Sequence, residues 1–262
     1  MSKGGKATIH PTAVVDRDAM LGPGSVVEPF AIVGAGVEVG AEATIGARAT
    51  VTGLTRIGAG CHIGVGAVIG GAPQDRKYTG EPTRVEIGDG THVRDYSTIN
   101  RGTQAAGVTR IGKRCFIMSY VHIAHDCRIG DDVVLANAVQ LAGHVDIDDG
   151  AQVGGSSPIH QFVRIGRLSF VGGGSRVPRD VPPFALAAGY PMHLYGINAE
   201  GLRRAGFDSA TRLALKRAFR LLFNANTSRG ESVTRIDAEL GHVPEVAHLV
   251  EFVTRSDRGV LV

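Results

Sequence analysis

Residues 117–147 read IMSYVHIAHDCRIGDDVVLANAVQLAGHVDI, and every sixth position is a branched aliphatic: Ile117, Ile123, Ile129, Leu135, Leu141 and Ile147. The same phase extends outward in both directions. Upstream it runs from Ile9 to Ile69 and resumes at Ile87, Val93 and Ile99; downstream it reaches Val177. A small or β-branched residue stands four places after the aliphatic, as at Ser25, Thr55, Ala67, Val121, Val133 and Ser157. Glycine often follows the aliphatic directly, as at Gly22, Gly34, Gly112, Gly130 and Gly154. A fixed internal period is read before any other feature. Helices need apolar residues at spacings of three and four, and half-exposed strands at two. Period six fits short strands joined by tight turns, each strand turning one aliphatic and one small residue inward. On this reading the glycines serve the turns, and the β-branched residues serve flat sides. Coils of such a prism stack ~4.8 Å apart.

The period breaks twice. At 71–84 (GAPQDRKYTGEPTR) the phase positions hold Asp75 and Glu81, which cannot sit unpaired in an apolar core. At 101–107 glycine and polar residues dominate. Both stretches are expected to project as loops, and long excursions from a regular scaffold are often functional.

Composition narrows the function classes. A net charge of +3 over 262 residues gives no bulk attraction for nucleic acid. No apolar run is long enough to span a membrane, and no secretory leader is recognisable, so the expected location is the cytoplasm. Cys61, Cys115 and Cys127 all occupy the inward small position, which makes them core filler rather than nucleophiles or disulfide partners.

After Val177 the period stops. A Pro-rich exit, VPRDVPPFALAAGYP (177–191), leads to a segment over 198–256 that reads as helices. Two domains are expected, a repeat domain over 1–190 and a helical domain over 191–262. The best helix is 209–223, with Asp208 as N-cap and Leu213, Leu215, Phe219, Leu222 and Phe223 as the apolar stripe. Its other face is basic, with Arg212, Lys216, Arg217 and Arg220. Pro244 is placed to open a last helix that buries Val246, Leu249, Val250 and Val253.

The repeat also predicts neighbours: in the hexapeptide-repeat proteins that this pattern resembles, three hexapeptides make one coil, so residues 18 apart would share a column between insertions. His125, Gly143 and Gln161 share one column, and Asp126, His144 and Phe162 the next. His160 falls in the column before, with Ala124 and Ala142, and His122 enters the same side. Four histidines therefore gather on one side of successive coils, none at an inward position. Histidine titrates near neutrality and serves as a general base. A carboxylate beside it orients the ring and favours its charged form in the transition state. Gly143 beside His125 offers an unobstructed N–H for an oxyanion. That set suits acyl transfer by direct attack, since no Ser or Cys is placed to form an acyl-enzyme. Two rival classes remain on these residues. One is a zinc hydratase in which His122 and His125 would supply two of three ligands; the other is a non-enzymatic scaffold.

The period-six pattern resembles that of hexapeptide-repeat proteins, which form left-handed parallel β-helices with three hexapeptides per coil. More specifically, QDRKYTGEPTRVEIGD (74–89), HIAHDC (122–127), LAGHV (141–145), HQF (160–162), DVPPF (180–184) and NAEGLRRAGF (198–207) resemble the UDP-N-acetylglucosamine O-acyltransferases that open lipid A synthesis. The likeness spans nearly the whole chain and implies a mainly β fold, a left-handed β-helix with a C-terminal helical domain. It implies a homotrimer with sites between subunits. The implied reaction moves an (R)-3-hydroxyacyl group from acyl carrier protein to the sugar 3-hydroxyl. No metal or separate cofactor is implied, the acyl donor riding on the carrier protein's phosphopantetheine arm. On this resemblance His125 is the base, Asp126 its partner and Gly143 the oxyanion donor. Asp75, Lys77, His122, His144, His160 and Gln161 would meet substrate, and Asn198, Glu200 and Arg204 would lie near the nucleotide. Gly173, in a column with Asn137 and Gly155 on a different face from His125, is expected to help set acyl length by leaving room in a groove that leads from a neighbouring subunit's His125. The basic helix would dock the acidic carrier protein. Charge depletion over 133–143 and 150–163 agrees with a subunit interface.

Two departures stand out. Asn100 precedes Arg101-Gly102-Thr103 where many relatives have histidine, and Ala205 stands where relatives often carry a second arginine. Asn100 leaves open a 3-amino sugar as the acceptor, because it removes a group that can repel an ammonium. The N-acyltransferases of the same fold are a related alternative. They usually carry an added N-terminal domain, whereas the repeat here begins by Ile9.

Overall fold

The computed structural model describes residues 5–223 and 228–261. The repeat winds into a prism with three faces, a left-handed parallel β-helix. Each face is a parallel sheet whose order advances by three strands at a time. On the first face Val134 pairs with Gln152 and Gln152 with Phe170. On the second, His122 pairs with Gln140 and Gln140 with Pro158. On the third, Arg128 pairs with Asp146 and Asp146 with Arg164. The 18-residue column therefore holds wherever no insertion intervenes.

The aliphatic and small positions both point inward. Ile45, Ile63, Ile99, Ile117, Ile123, Leu135 and Leu141 are all completely buried, as are Ser25, Thr55, Ala67, Val133 and Ser157. Removing each large side chain from water contributes about 1.5–3 kcal/mol. Ile9, in the inward phase of the first coil among the described residues, is 47% exposed. All three cysteines are buried and free. Burial pushes the Cys115 thiol up to about 11 and the Cys127 thiol up to about 12.

The glycines after each aliphatic do not serve the turns in the way the sequence led us to expect. The left-handed backbone falls two residues later, three after the aliphatic, and is mostly borne by other residues, such as Phe30, Tyr120, Asp126, Ala138, His144 and Phe162. The glycines answer a different need, close approach of successive coils. A Cβ on Gly112 would lie 2.4 Å from the Gly130 carbonyl oxygen, and one on Gly154 would lie 2.3 Å from the Gly173 nitrogen.

Both irregular stretches leave the prism at the same edge, between the second and third faces. Strand Val68–Gly71 lies on the second face and Arg84–Ile87 on the third. Thr98–Asn100 and Val108–Ile111 are likewise divided.

Past the repeat, Ala185–Gly189 adds to the first face and Met192–Ile197 folds back on it antiparallel, so the sheet continues through Ile197. Helices α1 (Ala199–Arg204), α2 (Ser209–Leu222), α3 (Arg229–Leu240) and α4 (Pro244–Thr254) follow. Asp208 caps α2 by accepting from the Thr211 N–H. Leu215, Phe219 and Leu222 are buried, but Leu213 is 66% exposed. It stands three, four and seven residues before Lys216, Arg217 and Arg220, so helical spacing puts it on their side and not in the apolar stripe. Phe184 closes the end of the core, fully buried beside Phe207 and His248. Asp180 ties the end of the chain to the prism: its carboxylate accepts from the Arg164 N–H and the Ser256 hydroxyl, and its own N–H donates to the Gly259 carbonyl.

Candidate active site

His125 sits on the turn between strands His122–Ile123 and Arg128–Ile129, at the same edge as both loops. Its Nδ1 lies 2.9 Å from Asp126 Oδ2. Asp126 carries a φ of 61°, which turns a residue adjacent in sequence toward the His125 ring. The Asp126 side chain is fully buried and that of His125 is 13% exposed. A buried ionised carboxylate accepts only, so Nδ1 is the donor in this bond, and in the neutral ring Nε2 is then the acceptor.

The carboxylate has further donors. Thr103 gives its N–H to Oδ1 at 2.8 Å and its hydroxyl to Oδ2 at 2.6 Å. The Asp126 N–H in turn donates to Thr109 Oγ1. Burial works against the Asp126 charge, but the bonds from Thr103 and His125 outweigh it and hold the carboxyl below its ordinary range. His144 Nε2 approaches Asp126 Oδ2 at 3.6 Å. Its ring meets the His125 ring edge-on and stacks on Phe162 with centroids 4.6 Å apart. The column shared by His144 and Phe162 was read from the sequence, whereas Thr103 was not identified there as a partner of Asp126. An insertion separates Thr103 from the 18-residue columns, and the only signal was its place in the tetrapeptide 100–103.

Gly143 lies against the His125 ring, where a Cβ would be 2.6 Å from His125 Cε1 and 2.8 Å from Nε2. Its carbonyl accepts from the Phe162 N–H, while its own N–H meets no acceptor among the described residues. Gly143 thus carries an unpartnered donor on the residue packed against the His125 ring. His122 donates to or accepts from Thr98 Oγ1 at 2.7 Å. Burial, and then the neighbouring His125, push its pKa down, which favours the neutral ring. His160 and Gln161 lie two coils on from His122 and His125, both exposed, with His160 Nδ1 3.2 Å from the Gln161 carbonyl.

The 72–83 loop brings Asp75 and Lys77 to this edge. Asp75 accepts from the Lys77 N–H, and the Lys77 side chain is exposed. Arg101 anchors the loop, bonding Tyr78 Oη at 2.9 Å and the Gly70 carbonyl at 2.9 Å. Asn100 is buried and its Nδ2 donates to the Ala72 carbonyl. That carbonyl fixes the amide orientation, and Asn100 is thereby engaged with the loop.

Asn198, Glu200 and Arg204 lie elsewhere. They line a cleft of about 620 Å³ with Gln152, Phe170 and Leu186, on the first face. Asn198 caps α1, and Glu200 binds both Arg203 and Arg204. The Arg204 side chain is 75% exposed. Gly173 falls on the edge between the first and second faces, against Gly155. On one chain, the residues singled out in the sequence therefore occupy two edges and a face.

Among the described residues, one group offers metal-type geometry: His125, Asp126 and His144, with ligand atoms within 4.8 Å of one another. This is not the His122–His125 pair of the zinc alternative. Both Asp126 oxygens are already engaged by Thr103 and His125, which suits an orienting carboxylate better than a ligand.

A prism of hexapeptide repeats with a histidine–carboxylate pair on its edge defines a transferase of the hexapeptide class. The bacterial transferase hexapeptide model matches residues 18–53 and 109–143, and the model of UDP-N-acetylglucosamine O-acyltransferase domain 2 matches 180–261. A curated acyl-[acyl-carrier-protein]–UDP-N-acetylglucosamine O-acyltransferase of Alkalilimnicola ehrlichii is 53% identical, over 97% of this chain and 98% of its own. That of Thiobacillus denitrificans is 46% identical over 97% and 99%. The solved enzyme of Acinetobacter baumannii superposes with a TM-score of 0.94 at 39% identity, covering 97% of this chain and 99% of that one. The chain belongs to the UDP-N-acetylglucosamine O-acyltransferase family.

Proposed function

We propose that this protein transfers an (R)-3-hydroxyacyl group from acyl carrier protein to the 3-hydroxyl of UDP-N-acetylglucosamine, the first step of lipid A synthesis. The observation that carries this reading is the His125–Asp126 pair beside the unpartnered Gly143 N–H. His125 Nε2 takes the proton of the sugar hydroxyl as its oxygen attacks the thioester carbonyl. The Gly143 N–H receives the charge that develops on that carbonyl oxygen. Collapse of the tetrahedral intermediate forms the ester and expels the phosphopantetheine thiolate, which takes the proton back from the imidazolium. Asp126 steadies the ring throughout and stays ionised.

The working unit is a homotrimer. Its support is the division of the substrate residues over separate edges of one chain: a second subunit can lay its Arg204 cleft against the His125 edge. Arg204 suits the diphosphate because its planar guanidinium is permanently charged. The basic side of α2 offers a dock for the acidic carrier protein. No metal takes part in these steps. Location in the cytoplasm follows from carrier-bound acyl groups and nucleotide sugars as substrates; among the described residues no helix is long and apolar enough to cross a membrane.

Mass spectrometry of the product formed from defined acyl carrier proteins and UDP-sugars tests the reading. A sugar ester at O3 is expected, undiminished by EDTA. A strong preference for the 3-amino sugar, giving an amide, would overturn the acceptor, and loss of activity on chelation would overturn the metal-free mechanism.

A further inference from the structure

The tetrapeptide Asn100-Arg101-Gly102-Thr103 touches both halves of the catalytic edge. Asn100 and Arg101 hold the 72–83 loop, through Ala72, Tyr78 and Gly70. Gly102 lets the chain turn inward, since a Cβ there would lie 2.3 Å from the Val108 nitrogen. Thr103 then reaches the Asp126 carboxylate with two donors, one on each oxygen. The direction of the hydroxyl bond is determined. Thr103 Oγ1 accepts the Ala105 N–H at 3.2 Å, so its own proton is left for Asp126 Oδ2. Thr103 is 8% exposed and Asp126 is 4% exposed, so water does not stand in for either donor. The Gly107 N–H donates to the Thr103 carbonyl and closes the loop around this contact.

We propose that Thr103 is a positioning residue for the acyl transfer: it fixes the Asp126 carboxylate in the plane and orientation that hold His125 with Nδ1 protonated and Nε2 aimed at the acceptor. This rests on His125 being the base. With Oδ1 taken by the Thr103 N–H, Oδ2 is the oxygen left to face the imidazole. The Thr103 hydroxyl shares the charge on Oδ2 and so moderates how tightly the carboxylate grips the imidazolium. The base must release its proton in every turnover, so an ungoverned carboxylate would trap it. The other titratable groups facing the pair are His122 beside His125, His144 beside Asp126, the buried Cys127 thiol, and Asp146 acting on His144.

The experiment compares Thr103→Val and Thr103→Ser by pH profile of kcat/KM. Loss of the hydroxyl in Thr103→Val is expected to lower kcat/KM about tenfold to a hundredfold, the usual range for a bond to a charged group. It should also move the acid limb to higher pH by about half a unit to one unit, because the carboxylate then holds the imidazolium alone. Thr103→Ser keeps the hydroxyl and should retain the wild-type profile. A structural role would lower the rate with the limb unmoved and would leave Ser as impaired as Val; either result overturns the proposal. Should Thr103→Val fail to fold, Thr103→Ser decides: a wild-type profile supports the hydroxyl, and an impaired one rejects it. In an Asp126→Asn background Thr103→Val should cost little more, and full additivity would show that Thr103 does not act through Asp126. His125→Ala, run alongside, separates the two levels: if it stays active the base assignment fails, whereas an inactive His125→Ala with an unmoved limb in Thr103→Val rejects only the inference about Thr103.

Discussion

At the scale of single residues, His125 has little structural work: it lies outside the core and its ring is held by Asp126 and Gly143. His125→Ala should lower kcat by about a hundredfold to ten-thousandfold, with the melting temperature close to wild type; near-normal turnover would remove it from the mechanism. The cysteines illustrate the converse. Cys127 bonds the Ala142 carbonyl and Cys115 the Gly130 carbonyl, and burial pushes both thiols up, to about 12 and about 11. A raised thiol value means the thiolate is absent through neutral and mildly alkaline pH. Native enzyme treated with iodoacetamide at pH 8 should therefore stay active and unlabelled at all three cysteines, as mass spectrometry would read; labelling with inactivation would contradict the direct attack.

At the scale of the element, the coil explains which glycines are indispensable. Gly112 and Gly34 hold equivalent places after an aliphatic, yet a Cβ on Gly112 meets backbone at 2.4 Å, whereas one on Gly34 meets its nearest atom at 3.5 Å. Gly112→Ala should destabilise by about 1–3 kcal/mol through overpacking. Gly34→Ala should be neutral or slightly stabilising, because alanine narrows the unfolded ensemble. Calorimetric melting of both variants checks this, and equal losses would show that some feature of the repeat other than coil contact requires glycine. Leu213 makes a related point about helices. Leucine in an amphipathic segment reads as core, but helical spacing puts this one with Lys216, Arg217 and Arg220, and 66% of it is exposed. Periodicity ranks faces; it does not say how wide the covered stripe is.

At the scale of the molecule, the separation of His125 from Arg204 makes the shared site testable. His125→Ala and Arg204→Ala proteins should each be nearly inactive. Co-expressed, they should regain up to about a quarter of wild-type activity, since random assembly into a cyclic oligomer leaves that share of interfaces with both residues intact. No recovery in verified mixed trimers would place the whole site on one chain. Gly173 belongs to the same scale. A Cβ there meets the Gly155 carbonyl at 3.3 Å and little else, so a longer side chain would extend outward from the edge between the first and second faces. Gly173→Met should shift preference to shorter acyl chains with His125 chemistry unchanged, and an unaltered chain-length profile would put the ruler elsewhere.

Much of this molecule was legible in the sequence because its core has a covalent period. One buried aliphatic every six residues and one small residue four places later define the flat sides; the resemblance to hexapeptide-repeat proteins supplied three sides per coil, and that 18-residue interval turns sequence distance into spatial distance. That arithmetic placed His125 beside Gly143 and Asp126 beside His144 without coordinates. It stopped where the count was interrupted. The two insertions lengthen two coils, so Thr103 meets Asp126 across 23 residues and Arg101 meets Tyr78 across 23, contacts that no fixed interval predicts. Tertiary structure alone decided that both loops leave at the His125 edge, that Asn100 is engaged with Ala72, and that the Asp126 carboxylate is buried under Thr103. Hydrophobic burial repeats along a chain and is written in its composition; hydrogen bonds between separate loops depend on distance and direction in space, which only the folded chain supplies.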